Sequence, residues 1–101
     1  MSKQRYGNDA AVLEALANDR RRVVLRYLGR TNGPTAVSEM AERVSETGLC
    51  GDSSTRAAIE LYHVHLPKLD AAGLIEFDVE NQLIEGSSEL ESALEILDHL
   101  E

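Results

Sequence analysis

The sequence predicts a mainly α-helical domain closed by one small β-hairpin, an α+β fold. Apolar residues recur at helical steps of three and four along most of the chain, as at Met40, Ala41 and Val44. Residues 75–79, in contrast, alternate apolar and acidic residues with the period of a half-buried strand. Aromatic residues make up only 4% of the 101 residues, so the core must be assembled from Leu, Val, Ile and Ala on short elements. A chain of this length supports one such core.

The elements follow in order. Residues 1–8 read as a tail, after which Asn8 or Asp9 caps a short helix carrying Val12, Leu13 and Leu16. Asp19 offers a new cap for a second helix that ends at Gly29, and Thr31-Asn32-Gly33-Pro34 is a turn by composition. A brief extended stretch over 35–37 precedes a helix capped by Ser38, with Met40, Ala41 and Val44 inward and Glu39, Glu42, Arg43 and Glu46 outward. Asp52 or Ser53 opens a longer helix in which Ile59, Tyr62, Leu66, Leu69 and Gly73 form one stripe. Pro67 removes the amide that would bond the His63 carbonyl, which predicts a kink or a fresh turn. Gly73 ends this helix.

The strand at 75–79 turns through Glu80, Asn81 and Gln82, with Asn81 suited to the left-handed conformation, and returns over 83–85 as a two-stranded hairpin. Ser88 and Glu91 then have the spacing of a capping box. The last helix puts Leu90, Ala93, Leu94, Leu97 and Leu100 on one side, as a core or dimer stripe.

Charge is segregated along the chain. The net charge is −8, yet residues 1–35 hold seven Arg or Lys against three acids, and residues 76–101 hold nine acids and no Arg or Lys. Arg20, Arg21, Arg22, Arg26 and Arg30 form the densest basic group. It serves either as a phosphate-contacting patch or as a solvated face paired with acids of the C-terminal helix.

No stretch approaches the roughly 18 apolar residues of a membrane span, and the N-terminus lacks the apolar run of a secretory signal, so a cytoplasmic location is expected. Cys50 is the single cysteine, which rules out an intrachain disulfide and a multi-cysteine zinc site. His63 and His65 lie two apart and point about 200° away from each other on a helix, a poor arrangement for one shared metal ion. Neither a glycine-rich phosphate loop nor a nucleophile elbow occurs, so no enzyme, cofactor or metal is predicted.

Two segments carry a family resemblance. Asn18-Asp19-Arg20-Arg21-Arg22-Val23-Val24-Leu25-Arg26-Tyr27-Leu28 resembles the opening helix of arsenical-repressor-type regulators, and His65-Leu66-Pro67-Lys68-Leu69-Asp70-Ala71-Ala72-Gly73-Leu74-Ile75 resembles the end of their recognition helix running into the wing. The run Leu61-Tyr62-His63-Val64-His65-Leu66-Pro67-Lys68-Leu69-Asp70 is similar to a family of small winged helix domains from halophilic archaea that has no assigned function, a match to the acidic composition. The resemblance implies a winged helix-turn-helix domain over 9–86 with an added amphipathic helix over 87–101. It further implies a homodimeric transcription regulator that lays helix 53–72 in the major groove of double-stranded DNA with the wing, 74–86, beside the backbone.

With Tyr62 inward, the outward face of that helix holds Ser53, Arg56, Ala57, Glu60, Val64, Pro67, Lys68 and Ala71, with His63 at its margin. Ser53, Arg56, Glu60, His63 and Lys68 are the expected DNA contacts, with Arg20, Arg21 and Arg22 as phosphate contacts. The wing acids Glu76, Asp78, Glu80 and Glu85 oppose a polyanion, although at about 1 M salt the screening length falls to roughly 3 Å. The competing reading is a non-enzymatic protein-interaction domain that uses the acidic wing and outward apolar residues such as Val64.

Overall fold

The computed structural model describes residues 10–31, 33–48 and 53–100. The first helix, α1, occupies 10–16 and buries Ala15 and Leu16, with Ala11 and Val12 packed beside them. Leu13, expected inward, is 57% exposed. It lies two residues from Ala15, about 200° around the helix, so both cannot face the core. The caps expected at Asn8 or Asp9, the tail and the loop around Cys50 lie outside the described residues.

Helix α2 spans Asp19–Arg30 and is capped by Asn18 rather than Asp19: the Asn18 Oδ1 accepts from the amides of Arg20 at 2.8 Å and Arg21 at 3.4 Å. Asn18 itself is extended, as an N-cap requires, while Asp19 adds its charge to the first turn, where the helix dipole favours it. α2 turns Val24, Leu25 and Leu28 into the core.

Strand β1, Thr35–Ala36, runs directly into α3, Val37–Glu46. Ser38 does not cap α3. The N-cap is Ala36, which makes no side-chain bond, and the Val37 amide instead donates to the Gln82 carbonyl across the sheet. The inner face is the expected one, with Met40, Ala41 and Val44 buried and Glu39, Glu42, Arg43 and Glu46 exposed. The Tyr27 hydroxyl donates to Glu39, and the Arg43 guanidinium lies 4.7 Å from the Tyr27 ring centre, so α2 and α3 are tied on their outer side.

The long helix is three segments: α4 at Ser54–Glu60, a π-helical turn at Leu61–His65, and α5 at Leu66–Ala71. The Leu66 amide donates to the Leu61 carbonyl, a five-residue step that accommodates one extra residue just before Pro67. The inward residues are Ala57, Leu61, His65, Leu66 and Leu69. Expected positions hold after the π turn, at Leu66 and Leu69, and slip before it: Leu61 replaces Tyr62, Ile59 is 57% exposed, and Ala57, expected outward, is fully buried. Gly73 closes α5 as expected, at φ +82°, with its amide donating to the Asp70 carbonyl and the Leu74 amide to that of Leu69.

The wing consists of β2, Ile75–Asp78, and β3, Leu83–Gly86, paired antiparallel with Phe77 opposite Ile84. The sheet has three strands, not two, in the order β1-β3-β2, because Thr35 pairs with Ile84 and Ala36 with Leu83. In the connecting turn Gln82, not Asn81, takes positive φ; Asn81 is held instead by the Asp78 carboxylate, which accepts from both its amide and its side chain.

Helix α6, Leu90–Leu100, follows a turn in which Ser87 rather than Ser88 supplies the oxygen: Ser87 Oγ accepts from the Glu89 amide and donates to the Gly73 carbonyl. Leu90, Ala93 and Leu97 enter the main core, Leu94 packs against it, and Leu100, expected on the same stripe, is 56% exposed. The fold is thus an α+β, winged-helix-like domain with a C-terminal helix that shares its core. Among the described residues no helix is long and apolar enough to cross a membrane.

Candidate nucleic-acid interface

In the helix-turn-helix arrangement α3 packs against α4, and the second helix offers its outer side to solvent. Ser53, Ser54, Thr55, Arg56, Ile59, His63 and Val64 are exposed there. Ser53 is partly committed as the N-cap of α4, its Oγ accepting from the Arg56 amide at 3.1 Å. The Arg56 guanidinium makes no ion pair among the described residues. The His63 ring meets Tyr62 edge-on at 5.4 Å and is otherwise exposed.

The remaining expected contacts are tied up inside the molecule. Lys68 Nζ lies 3.0 Å from the Glu14 carboxylate, which it holds below the usual carboxylate range. Glu60 takes Arg20 Nε at 2.9 Å and His65 Nε2 at 2.7 Å on the same oxygen. Glu60 is therefore a joint between α4 and α2.

Arg21 is the clearest correction. It is 6% exposed, too deep to meet a phosphate, and its guanidinium donates from Nε to the Ala15 carbonyl at 2.8 Å and from Nη2 to the Glu14 carbonyl at 3.0 Å. Arg22 Nε donates to the Leu16 carbonyl at 2.6 Å. The last carbonyls of a helix have no partners within it, so Arg21 and Arg22 close the C-terminal end of α1 from the next helix. The expected pairing of basic residues with the C-terminal helix is present at Arg26, whose Nη1 is 3.6 Å from Asp98.

The third bond of Arg21 reaches His65 Nδ1 at 3.2 Å. Arginine has donors only, so Nδ1 must accept; the ring is then neutral with its proton on Nε2, donated to Glu60. Burial lowers the His65 pKa, Glu60 opposes that, and the charges of Arg21 and Arg20 add to the lowering. The chain Arg21–His65–Glu60–Arg20 thus locks the middle of the long helix to α2. Sequence reading missed it because Arg21 and His65 are 44 residues apart; only the Glu60 to His65 spacing on one helix was a local sign. Among the described residues no group of His, Cys, Asp and Glu is placed to hold a metal ion.

The wing packs on this helix through Phe77, whose ring meets Tyr62 edge-on at 5.6 Å and whose amide donates to Asp70. Its acids Glu76, Asp78, Glu80 and Glu85 are all exposed. With the helix-turn-helix and wing so arranged, a family model for a domain of unknown function matches residues 13–85, from within α1 to β3. The chain belongs to that family, DUF7344. The DUF7344 span contains Arg20, Arg21, Glu60 and His65 and the whole exposed helix face, and α6 lies beyond it. No curated protein and no solved structure matches the chain.

Proposed function

We propose that this DUF7344 domain is a DNA-binding transcription regulator, acting as a homodimer, that reads the major groove with the outer face of α4 and the π turn. The observation carrying this reading is Arg56: an exposed guanidinium without an acid partner, on the second helix of a helix-turn-helix, where a fork of donors matches the acceptors of guanine. Ser54, Thr55 and His63 flank it as exposed hydrogen-bonding groups. Lys68 and Glu60 leave the expected contact set, since each is engaged within the protein, and Arg21 leaves the phosphate set.

A groove reader with so few free cations gains little from counterion release, which suits a protein working at high salt and explains how an acidic wing is tolerated. Ile96 and Leu100, exposed on α6, are apolar residues available to the dimer. The test is selection of random duplexes by the purified protein in molar KCl, repeated with Arg56→Glu. The expected result is an enriched motif with two-fold symmetry that the variant binds at least tenfold more weakly, in line with the ~1–3 kcal/mol of a bidentate base contact. No enrichment by folded protein overturns the proposal.

A further inference from the structure

We infer that the groove between α5 and the wing docks a protein segment in which large apolar residues are flanked by Lys or Arg. This goes beyond the DNA-binding reading and does not depend on it. The groove has two hollows that meet at Asp70 and Phe77 along the β2 edge, one on each face of the wing, because successive side chains of β2 point to opposite faces. The first is lined by Tyr62, Pro67, Ala71, Phe77 and Val79, with Asp70 at its edge. The second shares Asp70 and Phe77 and continues past Glu76, Asp78 and Glu85.

The apolar half is unusual for this chain. Of its three Tyr and one Phe, two line this one hollow, and Val79 beside them is 50% exposed. Contiguous apolar surface rimmed by polar residues marks an interaction site more often than scattered exposed residues do. The hollow has a volume of about 480 Å³, room for a few side chains of a partner.

The other half selects the partner by charge. Glu76 and Glu85 stand directly opposite each other in the register of β2 and β3, an arrangement of like charges that costs stability, and neither has a cation within ion-pair distance among the described residues. Asp78 stays ionised because the bonds from Asn81 hold its pKa low. Asp70, beside the Phe77 amide, extends the negative surface to the apolar hollow. A nucleic acid or an anionic membrane is repelled from these acids, whereas a Lys or Arg that follows a seated apolar side chain and reaches round the β2 edge past Asp70 relieves the Glu76–Glu85 repulsion on the other face.

The test is selection of displayed short random peptides on the immobilised full chain in about 0.3 M KCl, a salt at which exposed charges are weakened but not erased. Enriched peptides should pair a large apolar residue with Lys or Arg, and should bind at least tenfold more weakly to Val79→Asp and to Glu76→Lys/Glu85→Lys. These positions are exposed, so the variants should fold; amide shift changes in the unmodified chain, expected at Tyr62, Ala71, Phe77 and Val79, give a readout that needs no variant. Absence of enrichment, peptides without basic residues, or shifts confined to α2 and α6 overturn the proposal. So does self-association lost in Val79→Asp, which would make a second copy the occupant. The assay contains no DNA, so its failure is separate from failure of the duplex selection.

Discussion

At position 65 a neutral imidazole, 3% exposed, accepts from one arginine and donates to a glutamate that a second arginine also holds. Its pKa is lowered in the folded chain, chiefly by burial. The unfolded chain takes up this proton near pH 6.5 and the folded chain only at lower pH, so the unfolded state is favoured as pH falls below about 6.5. Urea midpoints should therefore drop from that pH downward and level off above it. The variant His65→Gln, which keeps one acceptor for Arg21 and one donor for Glu60, should flatten this part of the profile; an unchanged slope would mean other groups carry it. Arg21→Ala strands the Ala15 carbonyl and Nδ1 of His65, leaves the Glu14 carbonyl to the Ala17 amide, and should cost about 2–4 kcal/mol in urea unfolding. A loss under about 0.5 kcal/mol, the size of a typical surface change, would refute its structural role.

Among the elements, the long helix shows how one local irregularity redirects an exposed face. A stripe drawn at 100° per residue passes correctly through Leu66 and Leu69, then misses by a residue because the π turn inserts one before Pro67. Ile59 is thereby turned outward and Ala57 inward, so the exposed side of α4 is Ser54, Thr55, Arg56 and Ile59 rather than a face including Ala57 and Glu60. Helix α6 is no appendage: Leu97 is fully buried in the shared core, and the Gly29 Cα position leaves the space that Leu94 fills. Leu97→Ala should destabilise the entire domain by about 2–4 kcal/mol in one cooperative transition. Separate melting of α6 with an intact remainder would contradict a shared core. Gly73→Ala, at φ +82°, should cost about 1–2 kcal/mol from backbone strain alone, because no neighbouring atom obstructs the added methyl.

On the scale of the molecule, the segregated charges seen along the sequence are partly cancelled in the fold. Arg20 meets Glu60, Arg26 meets Asp98, and Arg21 and Arg22 donate to α1 carbonyls, so much of the basic N-terminal third is spent internally while the wing acids remain exposed. The protein therefore repels itself at low salt. Its melting temperature should rise between about 0.1 M and 1 M KCl, as the screening length contracts from roughly 10 Å to 3 Å. A flat or falling curve would show that the internal pairs outweigh the acidic surface. For the same reason the salt slope of log K for DNA should be shallow, equivalent to one or two phosphate contacts at about −0.9 each, as measured by fluorescence anisotropy.

The sequence alone determined what depends on neighbours a few residues apart. Periodicity at Met40, Ala41 and Val44 gave the inner face of α3, alternation over 75–79 gave the wing, and Gly73 gave the end of the recognition-position helix, because each is a local conformational requirement. Arg56 was legible as an exposed cation for the same reason. The tertiary structure decided which charged residues are free. Arg20, Arg21, Arg22 and Lys68 look alike in the sequence as cations, yet their partners are carbonyls, an imidazole and carboxylates, some of them more than forty residues away. It also placed Thr35 and Ala36 beside the hairpin and set Tyr62 against Phe77, since pairing and packing between distant segments depend on how the entire core closes.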